Sequence, residues 1–265
     1  MRIMSKSAGQ AFEKLVDIIA RLRSEGGCPW DREQTHESLK RYLVEEAYEV
    51  IDAVDAGDMD ELRRELGDLL IQVLFHAQLA DENDIFDIED SINDISEKLI
   101  RRHPHVFGKT SVAGIEEVLH RWEEIKAAEP ASKDRASVLD GIPRTLPALA
   151  RAMAVSKRAA AAGFEWPSLA AVVEKLEEEV GELKEELAAG DRERITHEVG
   201  DLLFTVVNVA RWTKVDAEDA LRTMIKRFTA RFRQVEEAAR ESGRPLEEMT
   251  IHEMDAVWDH AKQEK

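Results

Sequence analysis

Lys175-Leu176-Glu177-Glu178-Glu179-Val180-Gly181-Glu182, followed after fifteen residues by Glu198-Val199-Gly200-Asp201, is the stretch that decides the fold. Residues three or four apart share one face of a helix, so Glu179 with Glu182, and Glu198 with Asp201, form carboxylate pairs. Gly190-Asp191 stands between the two helical patterns, and a turn there predicts an antiparallel hairpin with both pairs facing each other. The same layout occurs earlier in the chain. Glu45, Glu46 and Glu49, then fifteen residues, then Glu65 and Asp68 repeat it at a constant offset of 133 residues (Glu45 to Glu178, Asp68 to Asp201), with Gly57-Asp58 at the turn. Carboxylates brought that close repel unless a cation neutralises them. Hard oxygen ligands on stiff helices suit Mg²⁺, with Mn²⁺ as a substitute. Leu202, Leu203, Phe204, Val206 and Val207 follow Asp201, as Leu69, Leu70, Ile71, Val73 and Leu74 follow Asp68. Acids bordering a core in this way need a partner. Glu185 and Glu186 read instead as solvated surface.

The rest of the chain fits an all-α protein. Aromatic residues make 6% of the 265, charged residues 35%, and strand-like alternation is nearly absent. A net charge of −18 argues against nucleic acid as a partner, and any anionic substrate would need metal ions and local basic residues to approach. Cys28 is the single cysteine, so an intrachain disulfide is impossible. Neither a signal peptide nor a membrane span is expected, and the simplest location is the cytoplasm.

In chain order, a helix over 11–23 ends at Gly26, Gly27 and Pro29, and Trp30 follows as either a packing aromatic or a substrate contact. Acidic helices are expected over 38–56 and on to Ala80. Another follows from Asp87, its cap, to Arg102, with Ile88, Ile92, Ile95 and Leu99 as a buried stripe and Lys98, Arg101 and Arg102 at its basic end. His103-Pro104 breaks it, 107–113 reads as loop, and a helix over 114–129 carries Trp122 and Lys126. The organisation is two helical domains, 1–129 and 147–265, joined by a linker over 130–146 where helical periodicity is lost. The second repeats the first: a helix from Pro147 to Ala161 stopped by Gly163, Trp166, the acidic hairpin, a helix with Lys226, Arg227 and Arg231, and a last helix with Trp258 and Lys262. Each half reads as a helical bundle whose hairpin leaves apolar surface to be covered by pairing.

Several phrases are recognisable: the doubled acidic pattern, Gly27-Cys28-Pro29-Trp30-Asp31, Arg101-Arg102-His103-Pro104-His105-Val106-Phe107, Ile142-Pro143-Arg144-Thr145-Leu146-Pro147-Ala148-Leu149 and Gly163-Phe164-Glu165-Trp166. With them the chain resembles the MazG family of nucleoside triphosphate pyrophosphohydrolases, in the all-α NTP pyrophosphatase group. The resemblance implies two tandem MazG-like bundles, a homodimer, and Mg²⁺-dependent hydrolysis of NTPs or dNTPs to NMP and pyrophosphate with broad base specificity, serving nucleotide-pool house-cleaning. Hydrolysis is expected in the C-terminal half, with the N-terminal half weak or structural. Glu179, Glu182, Glu198 and Asp201 would hold the metal, and Glu46, Glu49, Glu65 and Asp68 a second ion. Glu178 would orient water or bind nucleotide. Lys175, Arg227 and Arg231 would grip phosphate, Trp258 and Lys262 would close over the nucleotide, and Arg194 is a weaker contact of the same kind. Arg102 followed by Pro104 offers a reason for a poorer phosphate grip in the first half. Two rivals remain: a non-catalytic, metal-stabilised helical regulator, and a di-iron carboxylate bundle, prompted by Glu33-x-x-His36 and Glu117-x-x-His120.

Overall fold

The computed structural model describes residues 6–115, 117–118, 121–122, 125, 129 and 136–263. Among them every regular element is helical, and the chain divides into two compact units, Met1–Glu129 and Pro130–Lys265.

The first unit opens with α1 (Lys6–Arg23), which begins before the expected residue 11. It stops where Cys28 N–H donates to the Leu22 carbonyl at 2.8 Å. Gly27 is required there, because a Cβ would lie 2.2 Å from that same carbonyl oxygen. A short α2 (Pro29–Glu33), started by proline at its first turn, was not expected. The hairpin follows. α3 (His36–Ala56) starts at a Thr35–Ser38 capping box and ends at Gly57, whose φ of 68° is the left-handed conformation of a helix stop. α4 (Met59–Asp81) starts one residue later, with the Asp58 carboxylate accepting from the N–H groups of Asp60 and Glu61. α3 packs along α4, and α1 lies on α4. Ile19, Leu39, Leu74, Phe75 and Leu79 form the buried core, with Phe12, Leu15, Val16 and Leu22 against it.

α5 (Ile88–Arg102) is capped by Asp87 as the sequence suggests. Its apolar stripe is not buried. Ile88 packs on the core, but Ile92, Ile95 and Leu99 are 41%, 45% and 44% exposed. Amphipathic spacing reports a face that wants cover and does not say that this unit supplies it. A further helical turn, α6 (Pro104–Phe107), extends to the start of the expected loop. Of the helix expected over 114–129, residues 115, 117–118, 121–122 and 125 are described and helical. Lys126 and His120 lie outside the described residues, as does the start of the linker.

The second unit repeats the plan. α7 (Ala148–Ala161) ends before Gly163. α8 (Leu169–Ala189) and α9 (Arg192–Trp212) form the hairpin, with Gly190 at φ 77° and Asp191 as the next cap. α10 (Ala217–Glu241), a 3₁₀ turn (Leu246–Glu248) and α11 (Ile251–Gln263) complete it. α7 and α10 pack on α9, and α11 on α10. Its core mixes apolar Met153, Val207 and Ala217 with a polar clasp. Ser156 Oγ donates to Asn208 Oδ1 at 2.6 Å, Arg211 Nε donates to Ser156 Oγ at 2.7 Å, and Arg211 Nη2 donates to Glu165 at 2.6 Å.

Candidate active site

The two hairpins set out two acid clusters. In the second unit, carboxylate oxygens of Glu179 and Glu182 on α8 and Glu198 on α9 all lie within 4.8 Å of one another. Glu179 is buried, Glu198 half-buried and Glu182 exposed. The cluster already contains a cation. Lys175 Nζ, one turn before, sits 2.7 Å from Glu178, 3.0 Å from Glu179 and 3.9 Å from Glu182. Glu178 and then Glu179 hold the lysine well above its ordinary value. Lys175 lowers the Glu182 carboxyl, but burial and the charges of Glu179, Glu198 and Glu178 outweigh it and leave that carboxyl raised. The ammonium thus offsets part of the charge of Glu178, Glu179 and Glu182.

In the first unit Glu46, Glu49 and Glu65 make the matching group within 4.8 Å. Here no lysine intervenes, since the position equivalent to Lys175 is Tyr42. Burial, the Glu61 hydrogen bond and the Glu49 charge push Glu65 up to about 7. Burial, Asp68 and Glu49 raise Glu46. Asp68 and Asp201 stand one turn beyond Glu65 and Glu198, both exposed, and belong to neither group of three.

Three acids on two helices with oxygens inside 4.8 Å fit a hard divalent cation: Mg²⁺ binds oxygen at about 2.0–2.1 Å, which puts opposite ligands about 4 Å apart. Among the described residues no histidine joins either group, as an iron site of the di-iron carboxylate class would require. His36 faces His76 instead, with 2.8 Å between their Nδ1 atoms, and Glu117 holds Arg121 and the Ala113 N–H.

The MazG nucleotide pyrophosphohydrolase domain matches this chain twice, over residues 34–107 and 168–236. The chain belongs to the MazG family. The nucleoside triphosphate pyrophosphohydrolase/pyrophosphatase MazG of Thermotoga maritima is 47% identical over 97% of this chain and 98% of its own length. The nucleoside triphosphate pyrophosphohydrolase of Escherichia coli K12 is 46% identical over 96% and 98%. A crystal structure of a mazG-related protein from Thermotoga maritima, 34% identical, matches 43% of this chain and 97% of its own, with a TM-score of 0.38. Each matched MazG segment contains one acidic hairpin.

The remaining candidates separate into groups. In the second MazG repeat, Arg231 lies with its guanidinium carbon 5.9 Å from the centre of the Trp258 ring, which also packs on Phe228 at 4.9 Å. Arg227, one turn earlier, meets Met224 Sδ at 3.4 Å. Lys262 pairs with Asp259 at 2.8 Å, and Arg194 turns to Glu186 at 3.2 Å and Asp191 at 3.7 Å. Among the described residues no hydrogen bond or ion pair joins these five to the acid cluster. In the first repeat Trp30 stands 52% exposed, edge-on to Tyr42 at 6.0 Å.

Two contrasts went unread in the sequence, although the 133-residue offset contains them: Tyr42 in place of Lys175, and Glu61 in place of Arg194. A third is Glu129, whose carboxylate grips Arg101 and Arg102. No periodicity announces it.

Proposed function

We propose that the chain hydrolyses nucleoside triphosphates between the α and β phosphates, NTP + H₂O giving NMP and pyrophosphate, at the second unit's acid cluster with Mg²⁺. The class, a nucleoside triphosphate pyrophosphohydrolase enzyme, follows from family membership and from relatives of that name alignable along nearly the whole chain. The observation that carries the site is the convergence of Glu179, Glu182 and Glu198 from two helices to within 4.8 Å. Bound there with Asp201 one turn away, Mg²⁺ would neutralise triphosphate oxygens and so let an anionic substrate approach a chain of net charge −18.

The chain's own groups do the positioning. Lys175, which pairs with Glu178 and Glu179 in this structure, would offer its ammonium to a phosphate oxygen. Glu178, 58% exposed, would orient the attacking water. Arg227 and Arg231 hold the pyrophosphate end, and Trp258 offers its ring to a base of any identity, which suits broad specificity and a house-cleaning role. A homodimer would cover Leu203, Phe204 and Val206 on the hairpin and Leu221, Ile225 and Phe228 on α10, all 41–57% exposed. Among the described residues no helix is long and apolar enough to cross a membrane, in keeping with a cytoplasmic enzyme. Incubation with Mg²⁺ and an NTP, read by ³¹P NMR, tests the reading. NMP and pyrophosphate in equal amounts support it, and NDP with orthophosphate refutes it.

A further inference from the structure

Both units pair an arginine with a tryptophan, and only one of the two arginines is free to receive an anion. In the second unit Arg231 lies 5.9 Å from the Trp258 ring centre, and among the described residues no carboxylate reaches it. In the first, Arg102 lies 5.5 Å from the Trp122 ring centre, and its fork is filled. Nε donates to Glu129 Oε1 at 2.9 Å, Nη2 donates to Glu129 Oε2 at 2.6 Å, and Arg101 Nη2 donates to Oε1 at 2.8 Å. A carboxylate held side-on by one guanidinium and capped by another presents the oxygen pair that a phosphate would present to the same donors. Its side chain is only 13% exposed. Arg102 and Arg101 hold it down to about 2, so it carries its charge at every pH near neutrality.

The other residue types of a polyphosphate site occur in the same unit. Lys98 is one turn before Arg102 on α5, as Arg227 is one turn before Arg231 on α10. Glu46, Glu49 and Glu65 gather in the same unit. Glu129 itself sits in a bend at the last residue of the unit.

We propose that the first unit contains a second site for a Mg²⁺-bound nucleoside polyphosphate, built on Arg101, Arg102, Lys98 and Trp122, and that the Glu129 carboxylate occupies its phosphate position and keeps it closed. A ligand must displace Glu129, so its apparent affinity is the intrinsic one scaled by the fraction of molecules with the arginines open. The inference rests on reading Arg231 and Trp258 as part of the substrate site. It replaces Pro104 as the reason for a weak first site: α5 reaches Arg102 intact, and what it presents there is already bound.

The test counts binding events on the full chain by titration calorimetry with Mg²⁺ and an NTP analogue whose α–β bridge is methylene. Wild type should bind one equivalent per chain tightly. Glu129→Gln, which keeps shape and loses charge, should bind a second equivalent at least about tenfold more tightly than any second event in wild type. Adding Arg102→Met should abolish that second event and leave the first. Glu129→Asp, which keeps the charge but shortens the reach, should give an intermediate second affinity and serves if the glutamine variant fails to fold. Identical binding by wild type and both folded Glu129 variants would overturn the proposal, as would two equally tight events in wild type. If wild type bound none and Glu129→Gln one, the closed site would stand and the substrate reading of the second unit would fall; no binding by either would overturn both.

Discussion

The two units share a hairpin and differ in how its charge is neutralised. Both bring three glutamates within 4.8 Å. In the second, Lys175 pairs with Glu179, and among the described residues no carboxylate reaches Arg231; in the first, Tyr42 replaces the lysine, Glu61 replaces Arg194, and Glu129 fills the arginine fork. Duplication preserved the geometry that packing enforces, while the charges around it, which packing does not enforce, diverged. Under the proposed function, the second unit would exchange an internal cation for a metal and admit an anion. The first holds mutually repelling acids and an arginine pair already engaged.

The largest expected effect is on turnover. Glu182→Ala should lower kcat by about 10²–10³, the size seen when one charge-stabilising group is lost, whereas Glu49→Ala at the matching position should lose far less. Equal losses in steady-state kinetics would erase the distinction between the units. Next is the polar clasp of the second unit; in the first, Phe75 is buried at the position of Asn208, and Arg23, at the position of Ser156, pairs with Glu82 instead. Ser156→Ala removes a donor to Asn208 and should cost about 1–3 kcal/mol in chemical denaturation. Arg211, the Trp166 N–H and Trp212 outweigh burial and hold the Glu165 carboxyl below its ordinary 4.5. Its contribution is therefore present above that pH and lost as pH falls below it. Glu165→Gln should flatten the acid side of the melting-temperature profile, and an unchanged profile would remove Glu165 from the clasp.

Smaller still is the counterion effect. Lys175→Tyr, which installs the first unit's residue, should destabilise the Mg²⁺-free protein by about 1 kcal/mol, consistent with a partly exposed pair, and added Mg²⁺ should restore it. Smallest is the His36–His76 contact. The repeat places Leu169 and Val209 at these positions, and His76 Nε2 is buried without a partner. Replacing both partners of a hydrogen bond with apolar groups is nearly neutral, and His36 is exposed, so His36→Leu with His76→Val should leave the melting temperature unchanged or slightly raised.

Much of this was legible in the chain. The cap at Asp87, the hairpin turns at Gly57-Asp58 and Gly190-Asp191, and the acidic doublets all follow from local rules that act within a few residues. What the sequence could not show was cover. Ile92, Ile95 and Leu99 have the spacing of a buried face, yet amphipathicity looks the same whether the partner is within the unit or elsewhere. Nor could it show that Lys175 turns onto Glu178 and Glu179, or that Glu129 folds back 27 residues onto Arg102. Such contacts depend on where the chain returns in space, which a periodic pattern does not encode.

The central claim is that the second unit's acids, with Mg²⁺, cleave a triphosphate at the α–β bond. Running the reaction in ¹⁸O-labelled water and analysing NMP and pyrophosphate by mass spectrometry tests it most directly. The account predicts one NMP and one pyrophosphate per NTP, one ¹⁸O between them, and no turnover in Glu179→Gln. Orthophosphate with NDP, or full turnover in that variant, would contradict it.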